Sequence, residues 1–131
     1  MQRYILPTLM AFVLMLTSGA QAQSLTEVRT KLQAALQRSL SRAMIDGALP
    51  HLDLETGEIT KLYPTENHEV ILRMNDIYVM CATLVTADGT ESTVDYYMAQ
   101  NRGSYGVIRT EIDNRGPIKS LIEAGRAVRL E

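Results

Sequence analysis

The chain has 131 residues, of which 13 are basic and 15 acidic, for a formal net charge of −2. The charges are interspersed along it, which argues against the concentrated basic footprint of a nucleic-acid binder. A single cysteine, Cys81, rules out an internal disulfide, so the domain has to be held by its core.

The N-terminus reads as a secretory signal in three parts. Arg3 supplies a positive charge, and an apolar run from Tyr4 to Leu16 follows, broken only by Pro7 and Thr8. Small and polar residues then lead to Ala20-Gln21-Ala22, with cleavage expected between Ala22 and Gln23. The run is too short for a membrane anchor, which needs roughly 20 apolar residues, and no cysteine follows it to carry a lipid. Removing residues 1–22 takes away Arg3 alone and leaves 109 residues with 12 basic and 15 acidic groups, a formal charge of −3. The expectation is one α+β domain over residues 23–131, periplasmic or extracellular and without a membrane anchor.

The first element of that domain is an amphipathic helix. Ser24 and Glu27 have capping-box spacing, so each side chain is expected to satisfy an amide at the helix start. Leu25, Val28, Leu32, Ala35, Leu36, Leu40, Ala43 and Met44 recur at intervals of three to four, the stripe of a helix with one buried face. Asp46-Gly47 is expected to end it. Leu52-Asp53-Leu54, a turn at Glu55–Glu58 and Ile59–Tyr63 suggest a short hairpin stopped by Pro64, and Pro64–His68 reads as a polar loop. Strands are expected near Glu69–Met74, Ile77–Thr86, Ser92–Ala99 and Tyr105–Ile112. Between them lie Asn75-Asp76, Asp88-Gly89 and Asn101-Arg102-Gly103, which are turn-forming residues. The connections are too short for parallel crossovers, so the strands should form a meander. Pro117 opens a short C-terminal helix whose buried face would be Ile118, Leu121 and Ile122, with Gly125 as its stop. Val128 and Leu130 could add an edge strand. The predicted architecture is a long N-terminal amphipathic helix on a curved antiparallel sheet, a meander of about four strands with a hairpin, and a short C-terminal helix. This order resembles small cone-like or cystatin-like folds, a likeness of fold that implies no single function.

Strand register divides the sheet's side chains. If Asp88-Gly89 form a two-residue turn, Cys81 lies opposite Tyr96 and Ala82 opposite Asp95. If the next loop is Gln100–Ser104, Asp95 lies opposite Arg109, an attractive cross-strand ion pair. Ile77, Val79, Cys81, Val85, Val94, Tyr96, Met98, Ile108 and Ile112 then form an apolar face that should receive the long helix. The other face would carry Tyr78, Met80, Leu84, Asp95, Tyr97, Tyr105, Val107, Arg109 and Glu111. Of these, Tyr78, Met80, Asp95, Tyr97, Tyr105, Arg109 and Glu111 are the candidate functional residues. That face could be solvated, could be a homodimer or other subunit interface rich in aromatic residues and Met, or could line a pocket for a small ligand.

No motif of catalysis stands out. Cys81 sits in the apolar run Ile77–Ala82 and is expected to be buried and inert. His51 and His68 lack metal-ligand spacing, and no phosphate loop or nucleophile elbow occurs. Arg115, beside Gly116-Pro117, could meet an anion at a helix start, with an unpaired solvent arginine as the plainer alternative. The sequence therefore favours a non-catalytic binding or interaction module with no cofactor and no metal, whose partner is a protein or a small ligand. The alternatives are an enzyme using Tyr78, Tyr97 and Asp95 for proton transfer, and an inhibitor or chaperone-like module that pairs through a strand edge.

Overall fold

The structure, a computed structural model, describes residues 24–131. The signal segment and the Ala22–Gln23 cleavage point lie outside the described residues.

Ser24 caps helix α1 (Leu25–Ala43) by accepting a hydrogen bond from the Glu27 amide at 3.2 Å. The reciprocal half of the capping box is replaced, because the Glu27 carboxylate binds Lys31 one turn on. Val28, Leu32, Ala35, Leu36 and Leu40 are the buried stripe. The helix stops at Met44, whose backbone is extended, and Asp46-Gly47 form the turn just beyond it.

Six strands follow: β1 (Leu49–Leu52), β2 (Ile59–Met74), β3 (Ile77–Val85), β4 (Glu91–Asn101), β5 (Ser104–Ile112) and β6 (Val128–Arg129). They pair antiparallel in the order β1-β2-β3-β4-β5, and β6 pairs with β2 at Leu72 and Arg73. Helix α2 (Gly116–Glu123) precedes β6. The α+β arrangement with an antiparallel sheet is thus the expected one, in a single small domain. Pro64–His68 is not a loop but the middle of β2, which stays paired to β3 through two register irregularities between Pro64 and Ile71. Side chains stitch that segment: the Thr65 hydroxyl donates to the Thr83 carbonyl, and His68 Nε2 lies 3.1 Å from Thr83 Oγ1.

The register differs from the expected one by a residue, and the turns explain it. Thr86 and Thr90 close the β3–β4 hairpin around a three-residue loop, Ala87-Asp88-Gly89, in which Gly89 takes φ +86°. Such a loop uses glycine as its left-handed third residue rather than as half of a two-residue turn. Cys81 consequently faces Asp95, and Met80 faces Tyr96. Arg102 (φ +51°) and Gly103 (φ +79°) form a two-residue turn between Asn101 and Ser104, shorter than the loop expected there. An irregularity after Met98 leaves Ile108 without a partner and shifts the rest of β5, so Asp95 lies opposite Glu111 and Arg109 opposite Tyr97.

Two cores result, one on each side of the sheet. On the α1 side, Leu32, Leu36 and Leu40 share a cluster with Leu62, Ile71, Met80, Leu84, Val94, Tyr96 and Met98. On the α2 side, Ile118 and Ala127 pack with Leu72, Val79 and Tyr97. The expected assignment of faces is therefore wrong for β3: α1 covers Met80, not Val79 and Cys81. In α2, Ile118 is fully buried, whereas Ile122, expected on the buried face, is exposed.

Candidate functional site

The candidate residues read from the sequence do not form one face. Tyr78, Met80 and Tyr105 lie on the α1 side, where the Tyr78 and Tyr105 rings meet edge to face at 5.6 Å. Asp95, Tyr97, Arg109 and Glu111 lie on the reverse. Tyr78 is thereby separated from Tyr97 and Asp95 by the sheet, and the constellation expected for proton transfer does not assemble. The expected Asp95–Arg109 ion pair does not form either. Arg109 pairs with Glu111, and Asn114 together with Arg109 holds the Glu111 carboxyl below its usual range.

Asp95 pairs instead with Arg115, the residue just before α2, with Nε to Oδ2 at 3.3 Å. Arg115 is thus engaged with the protein's own carboxylate rather than unpaired in solvent. Its Nη2 also donates to Cys81 Sγ at 3.4 Å. Cys81 is buried, as expected, and burial together with the neighbouring Asp95 pushes its thiol up to about 12. A thiol so far from ionisation is no nucleophile at neutral pH. The Cys81–Asp95–Arg115 cluster ties the start of α2 to the sheet by charge, although both Asp95 carboxylate oxygens and Arg115 Nε are buried there without a hydrogen-bond partner.

An open site lies on the other side. A cavity of about 650 Å³ is bounded by Ser39, Leu40, Arg42 and Ala43 of α1, by Leu49–His51 of β1 and by residues of β3, β4 and β5. Ser39, Leu40, Arg42 and Ala43 come from the last turns of α1, Leu49, Pro50 and His51 from successive positions of β1, and Val107 and Thr110–Ile112 from β5. Leu40, Leu49, Leu84, Val107 and Ile112 make its walls apolar. Its volume is within the roughly 300–1,000 Å³ of small-molecule sites.

Tyr96 is the polar group that distinguishes this cavity. Tyr96 is 3% exposed and borders the cavity, and its hydroxyl oxygen is closed to solvent and has no hydrogen-bond partner among the described residues. Buried tyrosine hydroxyls normally find one. Burial pushes Tyr96 up to about 12, so near neutral pH its O–H is un-ionised and can donate to or accept from a group that reaches it. Sequence reasoning placed Tyr96 correctly on the helix-covered side but gave it only a packing role. The available signal was a hydroxyl placed among Val94, Met98 and other core residues.

Among the described residues, no three His, Cys, Asp or Glu side chains are grouped to hold a metal ion, and no helix is long and apolar enough to cross a membrane. Comparisons with protein-family models, with curated proteins and with solved structures found no match.

Proposed function

We propose that this is an exported, non-catalytic binding protein that holds a small, mostly apolar ligand between α1, β1 and the sheet. The buried Tyr96 hydroxyl carries the reading. A polar group left unpaired in a protein interior is costly, on the order of 1–3 kcal/mol, and a ligand oxygen or nitrogen that displaces the lining enough to reach it would remove that cost. The apolar walls supply affinity and the single polar group supplies orientation, the usual division of labour in small-molecule sites. Export is supported by the three-part signal pattern of residues 1–22 and places the ligand outside the cytoplasm.

The test is a thermal-shift screen of residues 23–131 against small apolar alcohols, amides and acids, followed by nuclear magnetic resonance mapping of any compound that stabilises the fold. Perturbations should concentrate at Tyr96, Leu84, Val107 and Ile112. Stabilisation accompanied by perturbations at Tyr97 and Ile118 instead would move the site to the α2 side and end this reading, as would a broad panel with no stabilising compound. Export is tested separately, by N-terminal sequencing of protein recovered outside the cytoplasm, which should start at Gln23.

A further inference from the structure

We infer that the ligand of this cavity is an amphipathic anion, with an apolar body against Leu84 and Val107 and a carboxylate-like head at Arg42 and Arg38. The inference rests on the pocket reading above and adds the charge of the occupant.

The chain as a whole is acidic, yet α1 carries four cations, Arg29, Lys31, Arg38 and Arg42, against one carboxylate, Glu27. Two of the four have partners. Lys31 binds Glu27, and Arg29 donates to the Glu69 carbonyl at 2.6 Å. Arg38 and Arg42 have no carboxylate within ion-pair distance among the described residues. They stand four residues apart on one face of the helix, where like charges repel. Unopposed repulsion of this kind is the local inconsistency expected where a surface serves binding.

The cavity leads to these arginines. Ser39 and Arg42 line both it and an adjoining hollow of about 230 Å³, to which Arg38 and Ser104 also contribute. Glu111 is the one acidic residue that borders the cavity, and its carboxylate, on the reverse of β5, is engaged by Asn114 and Arg109. The balance at the mouth is therefore positive. A ligand bearing a negative head and an apolar body would neutralise Arg38 and Arg42 while filling the space in front of Tyr96.

The experiment uses two matched series, octanoate, 1-octanol and octylamine, and 2-naphthoate, 2-naphthol and 2-naphthylmethylamine, titrated into residues 23–131 by calorimetry. In at least one series the acid should bind about fivefold more tightly than the alcohol, and more tightly still than the amine, the scale of an exposed charge pair. The preference should shrink as salt rises from about 20 mM to about 500 mM. It should vanish in the R38A/R42A variant, where acid and alcohol should bind alike. Both substitutions are at exposed helix positions, where alanine suits the helix, and circular dichroism checks that the fold is kept. Equal affinity for acid and alcohol, a preference for the amine, or an acid preference that survives in R38A/R42A would overturn the anion inference and leave the pocket standing. Failure of all six compounds to bind would overturn the pocket reading and the anion inference together.

Discussion

Asp95 and Cys81 sit directly opposite one another on β4 and β3 and point to the same side of the sheet, where Arg115 reaches both. Asp95 is the buried charged residue of the fold, 1% exposed, and Arg115 is its countercharge. Removing one member of a buried pair leaves a charge without compensation, which typically costs about 3–5 kcal/mol. Arg115→Ala should therefore fall near the lower end of that range in urea unfolding, because Arg115 is itself partly solvated. Adding Asp95→Asn to Arg115→Ala should recover part of the loss. Arg109→Ala, which breaks a solvent-facing pair, should be nearly silent. If Arg109→Ala proved the more harmful, the pairing would be wrong.

Cys81 of this cluster and Tyr96 on the other side of the sheet together make the fold sensitive to alkali. Burial raises the Cys81 thiol from its ordinary 9.0 to about 12, and burial raises Tyr96 from 10.0 to about 12. Both acids are raised, so the unfolded chain loses these protons at lower pH than the folded one. Their contribution to stability is thus intact below about pH 9 and is lost as pH climbs toward 12. Urea midpoints should be flat in this respect from pH 7 to pH 8.5 and fall steeply above about pH 9. Cys81→Ala should flatten part of the fall. At pH 8 the native thiol should resist iodoacetamide, and rapid alkylation would contradict its burial.

Backbone conformation separates two glycines that look alike in the sequence. Gly103 adopts φ +79° in the turn after Arg102, whereas Gly106 sits in β5 with an ordinary φ and open space where a Cβ would stand. Gly103→Ala should destabilise by about 1–2 kcal/mol, the cost of a left-handed L-residue. Gly106→Ala should be neutral or stabilise by up to about 1 kcal/mol through the unfolded state. Thermal melts of the two variants decide the matter, and the reverse order would mean that the turn does not lie at Arg102-Gly103.

Much of the fold could be read from periodicity and punctuation. The α1 stripe, the Ser24 cap, Pro117 at the start of α2 and the strand-separating turns all follow from local chemistry. The sidedness of the sheet could not be read, because Val79, Met80, Cys81 and Ala82 are all buried. A strand covered on both faces shows no alternation of polar and apolar residues, so a one-residue slip costs nothing visible in the sequence. The choice then rested on turn type, and Asp88-Gly89 supports two-residue and three-residue loops alike. The unpartnered Ile108 in β5 compounded the error by moving Arg109 away from Asp95. The cavity was illegible for another reason. Its lining comes from segments as far apart as Leu40, Leu84 and Val107, and their convergence depends on the very face assignment that the sequence left open.

Tyr96 supplies the sharpest contrast between stability and binding. Tyr96→Phe removes a buried hydroxyl without a partner and keeps the ring that packs against Leu36, Met80 and Met98. Relief of an unsatisfied polar group predicts that the ligand-free variant is as stable as the parent or more so, by up to about 1–3 kcal/mol. The same change deletes the group that orients a ligand, so affinity for any compound seated in the cavity should fall about fivefold or more, the value of one hydrogen bond. Leu36→Ala, by comparison, should cost about 2–5 kcal/mol because it empties space in the packed core without touching the cavity lining. Melting curves with and without a bound compound separate these outcomes. A Tyr96→Phe variant clearly less stable than the parent when empty would show that the hydroxyl already has a partner in the folded protein. The cavity would then lose the unpaired hydroxyl that marks it as a site.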